Sequence, residues 1–96
     1  MDVALVGLLP RQAELIRSQY GSDVNLHFVG SGENSPRVSA AASSSDYVIV
    51  MTKFTPHDTQ DILRNHEGLI FCNGGVSSAK LKLDELLHKD GSHPHA

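Results

Sequence analysis

Apolar positions in this chain come in short unbroken runs separated by stretches with helical spacing. Val3-Ala4-Leu5-Val6-Gly7-Leu8-Leu9 is the first run, too short for a core helix, and it reads as a central buried strand. Pro10 then opens the stretch Arg11 to Tyr20, and Gly21 closes it. Proline near a start and glycine just past an end punctuate a helix, with Ala13, Ile16 and Tyr20 on one face.

In Asn25-Leu26-His27-Phe28-Val29-Gly30, Leu26 and Phe28 alternate with His27 and Val29, the pattern of a strand nearer an edge. Ser31 to Pro36 is rich in turn residues, and Arg37 to Ser45, small and serine-laden, is expected to form a short helix. Asp46-Tyr47-Val48-Ile49-Val50-Met51-Thr52 is the clearest strand. Thr55 is placed to cap the next helix, with Pro56 at its first position, Asp58 three residues after the cap, and an end near His66. Leu69 to Cys72 predicts a fourth strand, broken by Asn73-Gly74-Gly75. A last helix is expected from Ser77 or Ser78 to about Lys89, with Ala79, Leu83, Leu86 and Leu87 as its buried stripe and Leu81 off it.

Strand and helix alternate throughout, which implies parallel strands joined by crossovers. The expected fold is α/β: a small Rossmann-like three-layer arrangement, half a Rossmann fold, with four parallel strands in the order 2-1-3-4 flanked by helices. Residues 1–90 form one domain in this reading, and 91–96 a disordered tail.

Composition narrows the rest. In 96 residues, 40% are hydrophobic but only 5% aromatic, with no Trp, so the core must be Val, Ile, Leu and Ala. A net charge of −3 without a basic cluster argues against nucleic acid as a partner, and scarce aromatics argue against stacking of single-stranded bases. The single cysteine, Cys72, excludes an internal disulfide and suits a reducing compartment. No apolar run is long enough to span a bilayer and the start lacks a basic leader region, so no membrane partner and a cytoplasmic location are expected.

Ligands of open α/β sheets sit beyond the carboxyl ends of the strands. The residues expected there are polar and include Arg11, Thr52, Lys53 and His57. The sharpest local signal is Asn73-Gly74-Gly75-Val76-Ser77-Ser78, between a strand and a helix. Gly74 and Gly75 would let backbone N–H groups approach an anion, and the Ser77 and Ser78 hydroxyls could donate to phosphate oxygens. The same residues suit a plain tight turn with a serine cap. The first loop, with only Gly7, does not match a dinucleotide fingerprint, and no Walker A sequence occurs. No cofactor is therefore expected. Cys72 lacks the arginine of a phosphatase loop, since position 78 is Ser, and reads as an ordinary strand residue. His88, His93 and His95 do not have the spacing of a structural zinc site, and no catalytic triad or metal motif emerges.

The segment Asp46 to Thr52 followed by His57, then Leu69-Ile70-Phe71 and Gly75-Val76-Ser77-Ser78, resembles a bacterial family of small Rossmann-like proteins without a settled activity. The likeness covers mainly Asp46 to Leu87. It implies the same fold and carries over to Thr52, His57, Gly75, Ser77 and Ser78. The opening Gly-Gly common in that family reads Gly7-Leu8 here, so a shared first-loop ligand does not carry over.

The leading expectation is a non-enzymatic binding or regulatory module that recognises a phosphate-bearing small molecule or an acidic group at the carboxyl ends of its strands. The alternative is a homodimeric interaction protein that buries its sheet edges and Leu81. A small hydrolase or transferase using His57 or Cys72 is the third reading.

Overall fold

The computed structural model describes residues 1–30 and 35–89. At its centre β1 (Asp2–Val6) lies against β3 (Tyr47–Met51), with β2 (Asn25–Val29) outside β1 and β4 (Leu69–Cys72) outside β3. All pairings are parallel, with Leu5 opposite both Phe28 and Ile49, and Val50 opposite Phe71. The sheet order β2-β1-β3-β4 is the one expected from the alternation of elements. Val3, Ala4, Leu5, Val48, Ile49, Val50 and Met51 are all fully buried. Strands buried on both faces are apolar at every position, which is why these runs do not alternate.

Alternate residues of each strand feed opposite faces. Val3, Leu5, Ile49, Met51 and Cys72 pack with Ile16 and Tyr20 of α1 (Pro10–Tyr20) and with Ala79, Leu83 and Leu86 of α4 (Val76–Lys89). Ala4, Val6, Val29, Val48 and Val50 pack with Val38 and Ala42 of α2 (Ser35–Ser43) and Leu63 of α3 (His57–Leu63). Two helices thus cover each face, completing the three-layer Rossmann-like α/β fold. The expected stripe of α4 is buried at Ala79, Leu83 and Leu86 and half-buried at Leu87, while Leu81 is exposed.

Element ends differ from the expectations where polar groups find tertiary partners. β1 stops at Val6, because Gly7 takes φ +97° and turns the chain while its N–H closes the ladder on Val29 O at 2.9 Å. A side chain there would collide with Thr55 Oγ1, so glycine is needed twice over. Helix α1 starts at Pro10, with Gln12 Oε1 accepting from Leu9 N–H at 3.0 Å. Thr55 does not cap α3. It is buried with its Oγ1 turned to Val6 O at 3.4 Å, and Pro56 precedes the helix without a side-chain cap. Gln60 ties the same turn by donating to Thr55 O at 2.8 Å. Helix α3 ends at Leu63 rather than His66. Helix α2 begins at Ser35 and ends at Ser43, because the serines fold back onto it: Ser45 Oγ donates to Ala41 O at 2.8 Å and Ser44 Oγ to Ala40 O at 3.2 Å. Of the expected loop over 31–36, Ser35 and Pro36 belong instead to α2, while 31–34 and the expected tail over 91–96 lie outside the described residues.

Two polar ties join separate elements. His66 Nε2 donates to Ala42 O at 2.9 Å and Ser45 O at 3.1 Å, while its Nδ1 accepts from Gly68 N–H at 3.0 Å. One neutral ring therefore links the end of α2, the approach to β3 and the turn before β4. Tyr20 OH donates to Asp84 Oδ1 at 2.8 Å, locking α1 to α4. Burial, then the hydrogen bond and charge of Asp84, push the Tyr20 phenol up to about 12.

Replacing His66 by Ala strands three backbone groups in a half-buried turn, and chemical denaturation is expected to show a loss of about 2 kcal/mol. For Tyr20, a phenol harder to ionise when folded contributes stability in full below its ordinary value near 10, and that contribution fades as pH rises towards 12. Thermal melts across this alkaline range are expected to fall less steeply for Tyr20→Phe than for the native chain. Equal slopes would contradict the assignment.

Candidate functional site

Because the strands are parallel and in register, their carboxyl ends meet at one edge: Val6 beside Val29 and Val50, and Met51 beside Cys72. Beyond them lie Gly7 to Leu9, Gly30, a single 3₁₀ turn (Thr52–Phe54), and Asn73 to Gly75. Arg11 stands in the first turn of α1, and Gly75 to Ser78 surround the start of α4. Both helices cover the same face of the sheet. His57 begins α3, on the opposite face, with Lys53 on the 3₁₀ turn that leads to it. The edge thus collects all the expected residues but divides them between two layers, with Thr52 and Lys53 at the seam.

Direct contact joins only some of them. Thr52 Oγ1 donates to Asn73 Oδ1 at 2.7 Å, with Cys72 O more distant at 3.3 Å. This bond clamps the 3₁₀ turn to the loop before α4 and occupies the one proton of the hydroxyl, so Thr52 faces a ligand with lone pairs alone. The Ser78 side chain packs so closely on Gly74 that any Cβ there would collide with its Oγ and Cβ. A Cβ at Gly75, by contrast, would meet nothing within 4 Å. Packing therefore explains Gly74 and leaves Gly75 open to an incoming group.

Neither Ser77 nor Ser78 opens α4. Val76 is its first residue, and Gly75 O accepts from Ser78 N–H at 3.1 Å and Ala79 N–H at 3.2 Å. The N–H groups of Val76 and Ser77 meet no acceptor among the described residues. Ser77 is exposed and Ser78 half-buried against Gly74. Asn73 carries weight that the sequence reading did not single out. Its signal was only its place between the strand and the two glycines.

Arg11, Lys53 and His57 are exposed, and none of their side chains forms a hydrogen bond or ion pair with another described residue. Acids gather at the other end of the sheet: Asp2, Asp23, Asp46 and Glu67 stand at or just before the amino ends of the strands. Near the carboxyl edge, Asp58 in the first turn of α3 is the acidic neighbour of His57. A shallow groove of about 560 Å³ beside Leu9, Pro10, Arg11 and Gln12 adds apolar surface next to the Arg11 guanidinium. Cys72 is only 1% exposed within the core, as an ordinary strand residue would be. No cluster of three or more His, Cys, Asp or Glu able to hold a metal occurs among the described residues, and no helix among them is long and apolar enough to cross a membrane.

Comparison with protein-family models, with curated proteins and with solved structures finds no match. The class of protein is therefore defined by its own geometry: a small parallel α/β domain whose carboxyl edge carries Arg11, Lys53 and His57. The family resemblance over Asp46 to Leu87 remains an expectation.

The two glycines are expected to respond differently to alanine. Gly75→Ala leaves the melting temperature within a degree or two of native, whereas Gly74→Ala displaces Ser78 and costs about 2 kcal/mol in denaturant titration. Equal effects would contradict the packing described here.

Proposed function

We propose that this domain is a non-enzymatic binding module whose carboxyl edge takes an anionic group, foremost the phosphate of a small molecule and otherwise an acidic group of a partner. One observation carries the reading. The open position at Gly75 lies before the unpaired Val76 and Ser77 N–H groups, on the same sheet face as the unpaired Arg11. Free N–H groups at a helix start and the positive end of its dipole favour negative charge. The Ser77 hydroxyl supplies a further donor, while Lys53 and His57 attract the anion from the seam and the far layer. Binding rather than catalysis is favoured because Cys72 is buried in the core and no described residue orients the His57 ring as a general acid or base.

The edge is shallow and its cations are exposed, so affinity for a single phosphate is expected near millimolar, about −4 kcal/mol. Inorganic phosphate and a panel of nucleotides at tens of millimolar are expected to raise the melting temperature. Amide shifts of Val76 and Ser77 should move with phosphate in NMR titration. Arg11→Ala and Gly75→Ala keep the fold and weaken this response several-fold. No stabilisation by any member of the panel, or undiminished binding in both variants, would defeat the proposal.

A further inference from the structure

The sheet ends in two edge strands that are finished differently. On β2, the Arg17 guanidinium lies over the Phe28 ring at 5.1 Å, and His27 Nε2 sits 3.3 Å from Asp2 Oδ1. The hydrogen bond from His27 holds the Asp2 carboxyl below its ordinary range. Charged groups on an edge strand are a common guard against strand pairing. β4 itself carries no charged residue, and among the charges of its covering helices are the Arg64–Asp61 and Lys82–Glu85 pairs. From Gly68 to Ala79 the chain carries no charged side chain and no proline.

β4 pairs with β3 alone. Gly68 O accepts from Val48 N–H at 3.0 Å, so the alternation of the ladder turns the N–H and C=O of Phe71 away from β3, towards the open side. Large apolar side chains are exposed on β4 and on α3. Phe71 is 47% exposed on the face covered by α2 and α3, and Ile62 of α3 is 37% exposed. Leu81 of α4, 63% exposed on the other face, lies opposite the buried stripe of Ala79, Leu83 and Leu86 and points away from the sheet. Helix α3 has only 7 residues, too few to cover the outermost strand.

We propose that β4 pairs antiparallel with β4 of a second copy of this chain, about a two-fold axis through Phe71, joining two four-stranded sheets into one. The axis sets Phe71 against the partner subunit's Phe71 as a hydrogen-bonded pair. A second copy is the occupant because a two-fold contact lays each strand against its own reverse, where any central charge would meet its like. The uncharged run from Gly68 to Ala79 satisfies that condition. A different partner would be free of it and would gain register from opposite charges. Strand pairing alone buries little surface, and Phe71 and Ile62 extend the contact towards the roughly 800 Å² per partner of stable dimers. This contact lies along the side of the sheet and does not depend on anion binding at its carboxyl end.

Light scattering on the full chain from micromolar to near-millimolar concentration tests the proposal. The native chain is expected to reach the dimer mass. Phe71→Lys and Phe71→Glu, each checked for fold by circular dichroism, are expected to run as monomers, and their equimolar mixture to regain the dimer. Asn25→Lys, at the β2 edge, should leave the native mass unchanged. A native chain that stays monomeric overturns the proposal. So does a dimer that survives in both Phe71 variants, a mixture that stays monomeric, or a dimer lost in Asn25→Lys. Should both Phe71 variants unfold, Ile62→Lys on the surface of α3 decides: at least about tenfold weaker dimerisation is expected, and unchanged dimerisation contradicts the interface.

Discussion

The mutual burial of β1 and β3 is the constraint from which the rest of this molecule follows. Both strands are apolar along nearly their whole length and sealed on both faces, so neither can sit at an edge or face water. Neighbours must then cover them on every side: β2 and β4 in the plane, α1 and α4 above, α2 and α3 below. Joining parallel neighbours requires each connection to cross a face of the sheet, which returns every strand in the same direction. All loops that follow strands therefore open at one edge, and that is where Arg11 and Lys53 stand.

The outer strands carry what the inner pair cannot. β2 carries Asn25 and His27 and packs Phe28 beneath Arg17 of α1, whereas β4 is short, uncharged and covered on one face by the short α3. The two proposals use different parts of this plan. Anion binding draws on the ends of strands and helices, where backbone N–H groups and cations are free. Self-association draws on the side of the last strand. Neither consumes the other, and a dimer built through β4 would carry two carboxyl edges available to ligand.

The fold was legible because the strongest signals in the sequence are also the strongest in the physics. Leu69 to Cys72 was bounded correctly, and the helical spacing of Ala79, Leu83 and Leu86 identified the buried face of α4. The misplacements occur where a residue with a clear local preference was taken up by a distant partner. Thr55 has the look of a cap but is drawn into the space left by Gly7, and the run Ser43 to Ser45 closes α2 rather than extending it. Leu8 and Leu9 continue the apolar run of β1 in sequence, yet the turn at Gly7 sends one into the core and the other to the surface. His66 left no trace in sequence, since its role consists of three backbone groups brought to it by tertiary folding. At the candidate site, strand order alone predicted which residues share the edge. It did not predict that Arg11 and His57 lie over opposite faces, that Thr52 is bound to Asn73, or that packing demands Gly74 but not Gly75.

Native-state hydrogen exchange on the individual backbone amides tests the central role of the inner pair most directly. The account predicts that amides of Val3 to Val6 and Val48 to Met51 exchange last and together, through global unfolding, while helix α3 opens earlier. Faster exchange in β1 or β3 than in α3, or separate opening of the two inner strands, would contradict it.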